Sequence, residues 1–239
     1  MKHICLWSGP RNVSTALMYS FAEREDTLVV DEPLYGHYLR TTGADHPGRE
    51  EVLAAVNCDG DAVMRTLLGA DYAADKKILF MKQMAHHLVH MDLRFMDRTE
   101  NVFLIRDPED MLPSLTVQLP DAGLADTGLA TQWRLFRNLQ RDGKRPVVID
   151  SRELLLAPRP VLRQLCAALD VPFDDEMLSW SAGPHKADGI WAKYWYESVH
   201  RSTGFQSYRA KGSFPESLRG LLDECSPYYD KLYSHAIRG

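Results

Sequence analysis

The sequence predicts an α/β protein, a three-layer fold in which a central, mainly parallel five-stranded sheet is flanked by helices. Three observations carry that class. Five short runs, each with at least three consecutive large apolar residues, fall at 3–8, 27–31, 77–81, 101–105 and 146–150, as strands buried on both faces do. Helical periodicity fills the intervals, and such alternation builds a doubly wound sheet. A glycine-bearing turn, SGPRNVSTALM at 8–18, follows the first run and leads into a helical pattern.

The elements follow in order. HICLWS is the first strand, and Val13, Leu17 and Phe21 then recur every four residues as one helix face. TLVVD, KILFM and NVFLI are the second, third and fourth strands. Asp107-Pro108 starts a helix, because proline suits a first helical turn. Leu129, Trp133, Phe136 and Leu139 line a further helix before the fifth strand, PVVID. APRPVLRQLCAALDVP has prolines at its start and end, as a bounded helix should. Residues 183–215, rich in aromatics, glycine and basic groups, break the alternation and read as a lid or acceptor loop. No repeat or low-complexity linker interrupts the chain, so 1–239 reads as a single domain.

Composition narrows the function classes. The 239 residues are 45% hydrophobic and 26% charged, with a net charge of −5, which argues against an extended nucleic-acid surface. Cys5, Cys58, Cys166 and Cys225 are scattered without a CxxC. That predicts reduced thiols of a cytoplasmic protein and no metal site. The N-terminal apolar stretch is too short for a signal peptide, and no run reaches the roughly eighteen residues that would span a bilayer. Nucleic acid and membrane are therefore not expected as partners, and the oligomeric state stays open.

In a parallel sheet, the loop after the first strand opens at the carboxyl edge, where ligands bind. A loop entering a helix there presents free N–H groups and the positive dipole end, which suit a phosphate. GPRNVST offers Gly9 for the turn, Arg11 as a cationic fork, and Ser14 and Thr15 as hydroxyls. The same serine and threonine also suit a plain helix N-cap. In VFLIRDPEDMLPSL, Arg106 ends a strand and Ser114 follows eight residues later. The pair can converge on one anion, or Arg106 can simply pair with Asp107 or Glu109.

Together the two stretches resemble the sulfotransferases that use 3′-phosphoadenosine 5′-phosphosulfate (PAPS). PRNVST is similar to the family's first signature at Pro10, Arg11, Ser14 and Thr15, and RDPEDMLPS to its second at Arg106, Asp107, Pro108 and Ser114. The segment VVIDSRELLLAPRPVLRQLCAALDVPFDDEML also looks like the family's strand, turn and leucine-rich helix. The resemblance implies a P-loop-type fold and transfer of a sulfuryl group from PAPS to a hydroxyl or amine of a small-molecule acceptor. It leaves adenosine 3′,5′-bisphosphate as product and requires no metal. It implies that Arg11, Asn12, Val13, Ser14 and Thr15 hold the 5′-phosphosulfate and that Arg106 and Ser114 hold the 3′-phosphate. YRAKGSF (208–214) approximates the family's closing loop, with RSTGF (201–205) as a rival.

Lys82, just after the expected third strand, can reach the bridging oxygen or remain a solvated strand-end lysine. An acceptor alcohol needs a base. Glu32, ending the second strand in VVDEPLY, is the favoured candidate, and His86 or His87 of MKQMAHHLVH is the rival. Each also has a purely structural reading, as a salt-bridged acid or a buried core histidine. Trp191, Tyr194, Trp195 and Tyr196 fall within six residues. They either pack or line an acceptor pocket, with Trp191 or Trp195 facing it and Lys193 or His200 adding a polar contact. A kinase or NTPase with a degenerate phosphate loop is the alternative enzyme, although the loop lacks the usual lysine. A non-catalytic nucleotide-binding module is the alternative outside catalysis.

Overall fold

The computed structural model describes residues 1–209 and 212–239. Among these residues six strands form one sheet in the order β2-β3-β1-β4-β5-β6. They are β1 (Lys2–Ser8), β2 (Thr27–Asp31), β3 (Ile78–Met84), β4 (Glu100–Ile105), β5 (Val147–Asp150) and β6 (Ala236–Ile237). The helices are α1 (Ser14–Ala22), α2 (Tyr35–Thr42), α3 (Arg49–Ala55), α4 (Gly60–Gly69), α5 (Pro108–Leu115) and α6 (Leu124–Thr127), followed by α7 (Leu129–Arg141), α8 (Ser151–Leu156), α9 (Pro158–Ala168), α10 (Ala192–Trp195), α11 (Glu197–His200) and α12 (Arg219–Tyr233).

Two differences from the sequence expectation matter. The sheet has six strands, not five, because the two-residue β6 pairs in parallel with β5 through Val148↔Ala236 and Ile149↔Ile237. So short a strand leaves no apolar run to read. The third strand also runs three residues beyond the expected run, and all seven of its residues are buried. Lys82 is therefore inside a strand, only 1% exposed, rather than just after one.

The chain divides into two compact units. The first comprises Met1–Leu6, Thr15–Glu100 and Asp174–Gly204. In it β2 and β3 pair in parallel, with Asp31 opposite Lys82. Its apolar interior includes Leu17, Phe21, Leu79 and Phe80, all fully buried, and Phe21 stacks on Phe80. The second unit comprises Trp7–Ser14, Asn101–Phe173 and Phe205–Gly239. There β4, β5 and β6 run parallel, with Phe103, Phe136, Val161, Leu162 and Leu165 almost fully buried around them. Among the described residues no helix is long and apolar enough to cross a membrane.

Candidate active site

In the second unit the loop after β1 is held by its backbone. A Cβ on Gly9 would lie 2.3 Å from the carbonyl oxygen of Thr127, so only glycine fits that approach. Asn12 is buried, and its Nδ2 donates to the Leu104 carbonyl at 3.2 Å, while its Oδ1 has no hydrogen-bond partner among the described residues. Ser151 Oγ lies 2.9 Å from Asn12 O and 2.8 Å from Ile105 O, and can donate to either. Arg11 and Val13 have φ of 62° and 58°. Left-handed backbone is unfavourable for any L-residue and a marked outlier for β-branched valine. Such strain persists only where surroundings enforce it, and it concentrates at functional sites.

The second signature locks onto this loop. Asp107 caps α5 by accepting from the Glu109 amide at 2.9 Å, with Pro108 in the first turn. Arg106 donates from Nη1 to the Arg11 carbonyl at 2.6 Å. Arg11 donates from Nε to Ser114 Oγ at 3.0 Å. Ser114 is thus met by Arg11, and Arg106 braces the strained backbone. Among the described residues neither guanidinium has a carboxylate within ion-pair distance. Burial pushes the pKa of both downward; Asp110 opposes this at Arg106, and Arg11 reinforces it. Tyr208 shares a hydrogen bond with Asp110 and lies beneath the Arg152 guanidinium. Two partly buried cations with free N–H groups, no paired carboxylate and a flanking hydroxyl are a donor set suited to phosphate oxygens. The nucleotide's phosphates therefore fit these residues. Of the expected closing loop at 208–214, Ala210 and Lys211 lie outside the described residues.

In the first unit Lys82 is enclosed by carboxylates. Its Nζ donates to Asp31 Oδ1 at 2.9 Å, to Glu32 Oε1 at 2.6 Å and to the Tyr196 hydroxyl. Burial opposes the ammonium, but Asp31 and Glu32 outweigh it and its pKa is raised. Burial raises the Glu32 carboxyl; Lys82 works against this, and Asp31 adds to it. Glu32 has φ of 37° immediately before Pro33, a strained position for a residue that proline would push toward extended backbone. Its amide donates to the Lys82 carbonyl at 2.9 Å, holding the β2 end against β3.

The histidines differ in setting. His87 is 1% exposed and stacks between Tyr35 and Tyr38, with centroids at 5.2 Å and 4.7 Å. Burial drives its pKa well below the usual imidazole value, so the ring is neutral. His86 lies edge-on to Tyr38 and His87. Trp191 is 4% exposed in a cluster with Tyr35, Leu39, Val52, Ala192 and Tyr196, and Trp195 packs against it. Lys193 pairs with Glu51 at 2.7 Å, and His200 with Asp188 at 2.9 Å.

Sequence reasoning missed Asp31 and Tyr196 as parts of this cluster. A signal for Asp31 existed: a lysine within an apolar strand run requires a buried counter-charge, and VVDE ends the neighbouring strand. Tyr196 comes from more than a hundred residues away and carries no such signal.

A family model described as a sulfotransferase domain matches residues 1–236. Branched-chain-amino-acid aminotransferase-like proteins 1 and 2 of Arabidopsis thaliana are 42% identical over 231 residues and 38% identical over 237. Those matches take in 96% and 98% of this chain but only 41% and 42% of the relatives, so the chain spans less than half their length. The sulfotransferase domain from the Synechococcus PCC 7002 olefin synthase superposes with a TM-score of 0.59 at 20% identity, covering 95% of this chain and 94% of that one. A sulfotransferase from Alicyclobacillus acidocaldarius gives 0.58 at 13% identity, covering 99% and 97%. Identities that low speak to the fold, an α/β architecture with a parallel sheet. The family match, running over nearly the whole chain, settles membership: this chain belongs to the sulfotransferase-domain family.

Proposed function

We propose that the protein transfers the sulfuryl group of 3′-phosphoadenosine 5′-phosphosulfate to a hydroxyl or amine of a small-molecule acceptor. One observation supports this above the rest: Arg11 and Arg106, partly buried and tied to each other's segment, have no paired carboxylate among the described residues. Two desolvated guanidiniums without counter-ions are costly unless an anion completes them. The nucleotide supplies an activated sulfuryl group and a stable leaving group, adenosine 3′,5′-bisphosphate. Arg11 and the amides of residues 11–15 hold the 5′-phosphosulfate, and Arg106 with Ser114 holds the 3′-phosphate. Fixed cations and N–H donors stabilise charge as the S–O bond to the departing phosphate breaks and a new S–O or S–N bond to the acceptor oxygen or nitrogen forms. Glu32 takes the acceptor proton, and its burial-raised proton affinity suits that role.

The plant relatives are named for likeness to branched-chain-amino-acid aminotransferases, so amino alcohols and hydroxy acids belong beside phenols and sugars in an acceptor panel. The test has two arms. Calorimetry without magnesium should show binding of adenosine 3′,5′-bisphosphate, and labelled sulfate should pass from PAPS to a member of the panel. Stabilisation by Mg-ATP with no response to the bisphosphate would overturn the reading in favour of a kinase.

A further inference from the structure

The segment around Tyr196 reaches the Lys82 cluster through two separate contacts, and donor counting shows what they do. Lys82 has three N–H groups, and Asp31, Glu32 and Tyr196 take them all. Tyr196 has a single O–H, whose nearest acceptor is Asp31 Oδ2 at 2.8 Å; Glu32 Oε1 is 3.4 Å away. The Gly189 amide donates to the same Asp31 Oδ2 at 3.0 Å. Asp31 therefore receives three donors, from Lys82, Tyr196 and Gly189. Glu32 receives one short bond, from Lys82. The first carboxylate is committed, and the second keeps its capacity to exchange a proton.

We infer that Tyr196 is a positioning residue of the reaction: with the Gly189 amide it satisfies Asp31 and restrains its pull on Lys82, so that Lys82 serves as a fixed clamp on Glu32 Oε1. The inference rests on the reading of Glu32 as the base. It gives the aromatic-rich segment a role beyond packing. It also explains why a lysine is buried in β3 with no N–H left for a leaving group. The charged and titratable groups around Glu32 come from several elements: Lys82 of β3, Asp31 of β2, Tyr196 between α10 and α11, and Tyr35 of α2. From α1, Thr15 bonds Tyr196, and Tyr19 feels Asp31 and Lys82 electrostatically.

The signs follow from the bonding. Removing the Tyr196 hydroxyl frees Asp31 to draw Lys82 toward itself, weakening the clamp and raising the proton affinity of Glu32. Neutralising Asp31 leaves Lys82 to Glu32 alone and lowers it. Glutamate labelled with carbon-13 at Cδ reports this directly by NMR, the Glu32 resonance being identified by its loss in Glu32→Gln. Tyr196→Phe should move the Glu32 midpoint upward by at least about 0.5 pH unit, a change of roughly threefold in the protonation constant. Asp31→Asn should move it downward by a similar amount. Unchanged midpoints, or two shifts in the same direction, would overturn the inference. If Tyr196→Phe does not fold, 3-fluorotyrosine at position 196, whose more acidic hydroxyl is a stronger donor to Asp31, takes its place: a downward shift of the Glu32 midpoint supports the inference and an unchanged one overturns it. The acid limb of the pH–kcat profile is then recorded for the same variants. A limb that ignores the NMR midpoint sinks Glu32 as the base while leaving the clamp intact.

Discussion

In the unit that contains residues 15–100 and 174–204, the buried cation Lys82 faces two carboxylates. In the unit that contains residues 7–14 and 101–173, Arg11 and Arg106 have no carboxylate in ion-pair reach among the described residues. The first arrangement is closed, since every Lys82 N–H has an acceptor. The second is open, since among the described residues both guanidiniums keep unused N–H groups. Leaving a buried charge without its partner costs about 3–5 kcal/mol, so the open arrangement is expected only where a ligand brings the missing charge. Residues that satisfy one another set geometry and proton affinity, whereas residues left in deficit mark where an anion goes.

The largest effect should come from breaking the closed half at Glu32, its carboxylate with fewer donors. Glu32→Gln keeps the shape and removes the proton acceptor, so kcat should fall by about 10²–10⁴. Affinity for adenosine 3′,5′-bisphosphate should barely move. With Glu32 as the proposed base, the wild-type rate should require ionised Glu32 and fall as pH drops through its pKa. Burial raises that pKa, so the limb sits above the ordinary glutamate range. The limb should vanish in Glu32→Gln and persist in His86→Asn and His87→Asn. Wild-type turnover of Glu32→Gln, with its limb intact, would transfer the role to a histidine.

Breaking the open half comes next. A charge-assisted contact contributes about 1.5–3 kcal/mol. Arg106→Ala should therefore weaken adenosine 3′,5′-bisphosphate by roughly 10- to 150-fold. Adenosine 5′-phosphate, which lacks the 3′-phosphate, should be nearly unaffected. Equal losses for the two ligands in calorimetry would remove Arg106 from the 3′-phosphate.

How much of this could be read in advance depends on the range of the forces involved. The apolar runs of β1, β2, β4 and β5 placed those strands to within about one residue, because burial on both faces needs uninterrupted hydrophobicity. The same rule ended β3 early, because Lys82 and Gln83 are polar but buried. Arg11, Arg106 and Ser114 could be picked out as a set from spacing. Which arginine meets Ser114 could not, since that depends on left-handed backbone at Arg11. Stacking of His87 between Tyr35 and Tyr38 is likewise a product of how α2 packs, beyond any local pattern.

A third prediction sharpens the comparison through Asp150, a fully buried carboxylate of the open half. It caps α8 by accepting from the Arg152 and Glu153 amides, and Tyr229 donates to it at 3.2 Å. Burial outweighs those bonds and holds its pKa up to about 6, against an ordinary value near 4. The folded state thus favours the protonated form. Its stabilisation is fully present below about pH 4 and is lost as pH rises through about 6, a loss on the order of 3 kcal/mol. Asparagine caps as well as aspartate and cannot ionise. Asp150→Asn should match the wild type in urea unfolding at pH 4 and exceed it at pH 7.5. A variant less stable at pH 7.5 would show that the ionised cap outweighs its burial.

The smallest effect tests whether the open half is also pre-strained to receive its anion. Val13, at φ 58°, carries an αL penalty of about 1–2 kcal/mol for any L-residue, and β-branching adds to it. Glycine removes that penalty and returns about 0.5–1 kcal/mol through the greater freedom of the unfolded chain. The net gain for Val13→Gly should be about 0–1.5 kcal/mol, or up to roughly 3–6 °C in Tm for a chain of this size. Binding should move the other way. A looser loop must be ordered when the phosphosulfate arrives, and ordering opposes affinity. The bisphosphate should bind about two- to fivefold more weakly to Val13→Gly, a loss of roughly 0.4–1 kcal/mol. A fall in Tm would mean that Val13 side-chain packing outweighs its backbone strain. Unchanged affinity with a raised Tm would mean that the strain is incidental to anion binding, leaving the unpaired arginines to account for it alone.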